Sequence, residues 1–436
     1  MPVLTERCAR VYCLLLLALC LFAPSAGRAQ SAERATEFED LGLTRPTEVS
    51  ARSLGVSGAV PVNEDVTALV YNPAGLCRIK KRSGLLGFTH DANEITSDHG
   101  SGASSLSSSR NGLLFAGGVI PLPMFRGSLV PAVAVHRMFV SDFDIGYRAA
   151  DGIDGRDDEF RLQQAGATYA FAVGFGVDLA SVLSAGLSMS VFEGGYQALR
   201  QSHTHTDTGT AVDRYVIDDI DGDLDGVVGR LGLTLFAHRH LHVAFNVETP
   251  TLVNTSASQA TEITEVVENS TGSTTRTSSS TTTEYIVPYR IDGGIEIPWG
   301  NWLVTAQAGT CDWSQAAIDK NSLHLENTDA VLGRTVDIRA GVEWTSSQWP
   351  LRLRAGAARL PFASDYVQAD RIDNDRLEEV HDESAPLRFS LGAGVALKNT
   401  ILIDAAFSHT RGDRRSATVS QEHTSSQLVI EGSYWF

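Results

Sequence analysis

The sequence predicts an all-β protein, a 14-stranded antiparallel transmembrane β-barrel with a compact N-terminal element inside its lumen. Three observations carry that expectation. Stretches of roughly 10 residues recur in which apolar side chains alternate with small or polar ones, the dyad pattern of a strand with one face on lipid. The connections between these stretches alternate strictly between long and short, as the loops on the two sides of an outer-membrane barrel do. The last stretch ends on Leu428, Ile430, Gly432, Tyr434 and Phe436, an alternating face closed by an aromatic residue.

In chain order, Met1 to Ala29 reads as a secretory signal, with Arg7 and Arg10 ahead of an apolar run from Val11 to Ala23 and small residues before a cleavage site after Ala29. Leu19 before Cys20 argues for simple export over lipoprotein processing. Beyond the signal no run approaches the roughly 20 apolar residues of a membrane helix, which excludes a helical membrane protein. Residues 30–82 form an N-terminal segment and plug, and residues 83–436 the barrel. Three of the five cysteines leave with the signal; Cys77 and Cys311 remain, too few for a disulfide framework, and they are expected as free thiols on opposite rims, the alternative being a single bridge that tethers the N-terminal element to the wall. A net charge of -17 opposes binding to nucleic acid.

The segment Ser50 to Leu76 is neither signal, strand nor ordinary loop. Ala51, Gly55, Ser57, Gly58 and Ala59 permit close packing, a short helix is expected over Asp65 to Leu69, and Asn72-Pro73-Ala74-Gly75 is turn chemistry, with Pro73 fixing φ. Barrel strands follow at 84–92, 111–121, 128–138, 163–177, 183–197, 225–237, 241–254, 284–298, 301–313, 334–345, 351–361, 386–397, 400–410 and 424–436. In the fourth, Ala165, Tyr169, Phe171, Val173, Phe175 and Val177 form a lipid face and Gln164, Gly166, Ala170, Gly174 and Gly176 a lumen face. An even strand count puts both termini in the periplasm. The Ser/Thr-rich stretch 255–283 reads as a solvated, mobile loop.

Lumen parity collects charges of both signs, among them Arg290, Asp292, Asp337, Arg339, Arg388 and Asp404. They read either as an ion-paired filling of the lumen or as anchors for a carboxylate, with Arg230 the candidate anchor because its strand offers few compensating acids. Asp221, Asp223 and Asp225 resemble the first half of a calcium loop, but position 12 is Gly232, so the reading is a solvated acidic loop or a loop-ordering Ca²⁺; no other cofactor is indicated. His203 and His205 bind zinc only if a third ligand folds in. Ser57 in Gly-Val-Ser-Gly lacks the strand-to-helix elbow of a hydrolase serine, and no enzyme is expected.

The run ARSLGVSGA…NEDVTALVYNPAGL, with Asn72, Pro73 and Ala74, resembles the hatch of the FadL family of outer-membrane long-chain fatty acid transporters, and CDWSQ at Cys311 to Gln315 extends the likeness. The resemblance implies a hatch-plugged barrel in the outer membrane that takes up a long-chain fatty acid or another hydrophobic ligand through the lipopolysaccharide layer. It implies entry at the extracellular loops, a site above the hatch, and sideways release near a kinked third strand, where Pro131 is the matching position. The terminal Phe436 resembles the signal read by the barrel-assembly machinery. PorV-type barrels share the hatch pattern, so the alternative is a secretion or assembly partner.

Overall fold

The computed structural model describes residues 43, 48–98, 103–123, 128–151, 156–207, 211–268, 272–318, 334–361, 384–398, 400–415 and 420–436. The signal, the rest of the segment before residue 48, and most of the expected long connections 314–333 and 362–385 lie outside these residues.

Fourteen barrel strands follow one another around a closed antiparallel sheet. They are β1 (Ser83–Asp98), β2 (Ala103–Val119), β3 (Ser128–Val140, continuing as Phe143–Asp151), β4 (Arg156–Ala180), β5 (Leu183–Asp207), β6 (Ala211–His238) and β7 (Leu241–Glu248, continuing as Thr251–Val267). Then come β8 (Ser273–Val287, continuing as Arg290–Trp299), β9 (Trp302–Asp312), β10 (Arg334–Thr345), β11 (Leu351–Arg359), β12 (Ser384–Leu397), β13 (Ile401–Arg415) and β14 (Ser420–Trp435). Pairing of β1 with β14, from Ser83↔Trp435 to Asp98↔Ser420, closes the ring and leaves no sheet edge there.

Alternation decides which face meets lipid. Phe171, Phe389, Leu391 and Ile430 are more than half exposed, whereas Ala170, Ala172, Ser390 and Val429 on the opposite parity are buried. A water-facing sheet would not expose such a belt; a bilayer covers it. Trp299, Trp302, Trp349 and Phe436 crowd the short-turn end, an aromatic girdle at one membrane interface. The tight turns sit where alternation places them, with Gly300 at φ 60° between β8 and β9.

The strand ends at the short-turn side match the sequence reading closely, and those at the long-loop side do not. β6 runs 28 residues and β4 and β5 25 each, well past the 9–11 residues or so that span a bilayer. Residues 255–267 and 273–283 are therefore not a mobile loop: they are the outer parts of β7 and β8, paired from Thr251↔Val287 to Glu265↔Ser273, and 269–271 lie outside the described residues. Asp219 to Gly226 likewise lies within β6 and not in a loop. Above the membrane both faces of a strand meet water, so apolar alternation ceases, yet the ladder continues because each neighbour still offers N–H and C=O groups.

Residues 48–78 pack against the inner face of the sheet, at the place where the sequence reading expects a hatch, and are called the hatch below. Its pieces are α1 (Ala51–Gly55), α2 (Ala68–Tyr71) and a 3₁₀ turn (Pro73–Arg78). Ser50 caps α1 by accepting from the Ser53 amide at 3.0 Å. The short helix falls three residues later than expected, because the Asp65 carboxylate binds the Thr67 amide at 2.8 Å and holds 65–67 in a turn.

Candidate functional site

The Asn-Pro-Ala turn is the anchor of the hatch. The Asn72 side chain accepts from the Ala74 amide at 3.1 Å and donates to the Pro61 carbonyl at 3.1 Å, tying two hatch segments together. Pro73 opens the 3₁₀ turn, where its missing N–H costs nothing. The wall beneath is flattened to receive it: Gly176, Gly186 and Gly232 lie side by side across β4, β5 and β6. A Cβ on Gly186 would stand 2.2 Å from the Pro73 carbonyl carbon, and one on Gly232 2.0 Å from Asn72 Oδ1. A second seat faces it across the lumen, where Gly341 pairs with Gly356 and a Cβ on Gly356 would stand 2.3 Å from the Val56 carbonyl carbon. Side chains at either seat would hold the hatch off the wall.

Charges fill the space that remains. Arg354 binds Glu343 at 2.7 Å and also Asp404; Arg52 of the hatch reaches Glu343 at 3.3 Å; Glu431 accepts the Ala51 amide at 2.8 Å. Below the hatch a vestibule of about 450 Å³ is lined by charges of both signs, among them Arg78, Arg352, Glu64 and Asp65, and by Leu303, Leu402 and Trp435. Above it lies a cavity of about 140 Å³ whose floor is Glu48, Val49, Val70 and Tyr71 of the hatch. Burial, and then the charge of Glu48, push the Tyr71 phenol well above its ordinary range, so it stays a donor to Glu48 at 3.0 Å.

The side wall of this cavity is His136, Arg137, Met138 and Phe139 of β3. At the same residues the ladder between β2 and β3 ends. β2 pairs with β3 only from Val119↔Ala132 to Phe115↔His136, whereas β2 pairs with β1 over its whole length. The register of β3 on β4 slips between Arg137 and Phe139, and the strand is interrupted at Ser141 and Asp142. Asp142 holds this geometry, accepting the Gly166 amide of β4 at 2.8 Å and the Arg110 guanidinium of β2, Nη2 at 2.7 Å. Outer β3 thus keeps its ladder to β4, whereas its ladder to β2 ends at His136 beside the cavity and the two strands are held beyond that point by Arg110 and Asp142.

The sequence-predicted residues fare unequally. Asn72, Pro73, Ala74 and Gly75 form the seated turn just described. Arg230 lines the cavity but does not lack an acid: Glu248, its register partner on β7, binds it at 2.8 Å, a strand pairing that periodicity alone does not reveal. Pro131 does not open the wall. It keeps register with Phe175, and its carbonyl still accepts the Ile120 amide at 3.2 Å; the break lies above His136. Asp221, Asp223 and Asp225 stand exposed at alternate positions of an extended strand, roughly 7 Å apart, too far for one first shell. His203 and His205 share one oxygen of Asp213, at 3.0 and 2.8 Å, and among the described residues no group of three His, Cys, Asp or Glu is arranged to hold a metal. Cys77 and Cys311 are buried and unbridged. The residues that sequence reasoning missed are Glu48, ahead of the recognised hatch run, and Asp142, in a stretch read as loop.

No family model matches the chain and no curated protein does. Solved structures do. The toluene transporter TodX of P. putida aligns with TM-score 0.63 at 15% identity, over 90% of this chain and 99% of that one. A FadL homologue of Pseudomonas aeruginosa gives 0.63 at 10% identity, over 90% and 99%. The toluene transporter TbuX of Ralstonia pickettii gives 0.56 at 15% identity, again over 90% and 99%. These neighbours are FadL-family transporters and channels, not enzymes, and at such identities what this chain shares with them is the fold.

Proposed function

We propose that this protein is an outer-membrane channel for small hydrophobic molecules, which enter from the outer side, rest in the cavity above the hatch and leave sideways between β2 and β3. The observation that carries this reading is the coincidence of the wall break with the cavity: His136 to Phe139 line the one and end the other. The straight route supports it from the opposite direction. An apolar molecule passing down through the hatch would have to break the buried ion pairs of Arg52, Glu343, Arg354 and Asp404 and leave their charges unpaired before it reached the vestibule below. The side exit leads directly to lipid.

Cavity size favours a compact cargo over an extended acyl chain. About 140 Å³ is close to the roughly 150 Å³ of an engineered apolar cavity that takes benzene. The toluene transport named for TodX and TbuX fits that size. The test is uptake of radiolabelled toluene and oleate by cells with and without the protein. Toluene uptake is expected to rise severalfold and oleate uptake to rise less; equal toluene uptake in the two strains removes the reading.

A further inference from the structure

The short-turn end carries a charge opposite to that of the chain as a whole. Net charge is -17, yet Lys80, Lys81 and Lys398, three of the four lysines, stand exposed at this end with Arg78, Arg82 and Arg239. Asp219, Asp221, Asp223 and Asp225 stand exposed on outer β6, toward the opposite end. Three of the cations converge. A cleft of about 1030 Å³ opens between the end of the hatch and the turns that join β4 to β5 and β6 to β7, and Arg78, Lys80 and Arg239 line it. Asp178, the one acid among its lining residues, is already engaged, accepting from Ser128 Oγ at 2.8 Å and Ser184 Oγ at 2.7 Å. Arg78 meets Glu64 at 3.1 Å and lies 4.9 Å from the centre of the Phe236 ring. Lys80 donates to the Cys77 carbonyl at 2.7 Å, and among the described residues neither Lys80 nor Arg239 forms an ion pair. Cations gathered in a concave site attract an anion.

A second observation says what covers the cleft. The lipid-facing row of β4, Phe171, Phe175 and Leu179, runs down into it, and Leu179, 60% exposed, and Val182, 48% exposed, are among its lining residues. Pro298 in its wall precedes Trp299 of the aromatic girdle, which sets the cleft at the depth of lipid headgroups. A soluble acidic partner would answer the cations and leave Leu179 and Val182 without an apolar neighbour. A lipid that bears a phosphate meets both. With the short-turn end in the periplasm, the leaflet at that depth is phospholipid.

We propose that this cleft binds the headgroup of an anionic phospholipid of the periplasmic leaflet, with Arg78, Lys80 and Arg239 around the phosphate and the acyl chains against Leu179 and Val182. The cations come from two parts of the molecule. Arg78 and Lys80 stand where the hatch runs out toward β1, and Arg239 belongs to the β6–β7 turn, so one phosphate answers charges on both. The site is separate from the cavity above the hatch and does not depend on what the barrel carries.

The test titrates phosphatidylglycerol and phosphatidylcholine into the purified full-length barrel in detergent and reads the first bound lipid by native mass spectrometry. Assembly of each variant is checked by heat-modifiable gel mobility. Phosphatidylglycerol is expected to bind about tenfold tighter than phosphatidylcholine, against the net negative charge of the protein. Lys80→Gln and Arg239→Gln should each lower that ratio about threefold, and together bring the two lipids close to parity. Lys398→Gln, which removes a cation from another turn of the same end, should leave the ratio unchanged. Parity of the two lipids on the unaltered protein overturns the proposal, and so does an equal loss in Lys398→Gln, which would mean a diffuse attraction without a site. Glycerol 3-phosphate, the same phosphate without chains, should not displace the lipid; displacement would show a site for a free anion and overturn the lipid assignment. Should the double variant not assemble, Arg239→Gln alone decides, and an unchanged ratio there sinks the proposal.

Discussion

Single residues here act through contact distance more than through chemistry of their own. Gly186 has no side chain because Pro73 rests on its backbone, and the partner glycines on β4 and β6 carry the same constraint. Gly186→Val should therefore unseat the hatch and leave the barrel ladder untouched. Overpacking of this kind costs about 1–3 kcal/mol, and here that cost falls on docking of the hatch. The expected outcome is intact heat-modifiable mobility with a raised leak of small ions in planar-bilayer recordings; a silent, normally plugged variant would show that Pro73 does not bear on Gly186. The Cys77 thiol, under the same turn, is pushed up to about 12, by burial first and by Asp178 second, and so stays protonated and poorly nucleophilic.

At the scale of elements, the proposed side exit rests on the kinked β3. Had its ladder to β2 continued in the register of Phe115↔His136, Leu113 would face Met138. A cysteine pair at those two positions, in a chain cleared of Cys77 and Cys311, should stay unbridged under mild oxidation, because the ladder to β2 ends at Phe115↔His136 and the register of β3 on β4 slips between Arg137 and Phe139. The control pair, Gly118→Cys with Val133→Cys, lies where the ladder is intact and should bridge readily. Equal bridging at both sites would mean that the wall is closed. Proline alone is an uncertain guide to such breaks. Pro131 sits in an unbroken ladder, while Pro250 and Pro288 stand at the interruptions of β7 and β8.

The whole molecule is lopsided. β4 to β8 rise far above the membrane as a polar sheet, whereas the opposite end is trimmed to tight turns ringed by Trp299, Trp302, Trp349 and Phe436. The girdle and short turns predict that end for the periplasm and the tall sheet for the outside. An epitope inserted at Gly272, in the β7–β8 hairpin, should be labelled on intact cells, and one at Gly300 only after permeabilisation. Labelling of both on intact cells would invert or abolish this topology.

Wherever lipid imposes a period of two, the sequence by itself determined the answer: strand number, lipid face, the short-turn ends and the Asn72-Pro73-Ala74 turn follow from residues within a few positions of one another. Tertiary structure alone decided what depends on distant partners. The strands of 255–267 and 273–283 exist because β6 and β7 supply the ladder, and nothing in Ser/Thr composition demands it. Arg230 is neutralised by Glu248 across a strand pair, and Glu48 meets Arg388 across 340 residues of chain. The row of Gly176, Gly186 and Gly232 has meaning only once three strands fix their registers and the hatch descends on them. The reason is one of range. Periodicity and turn chemistry are local, while charge compensation and close approach are set by which strands the closed barrel makes neighbours.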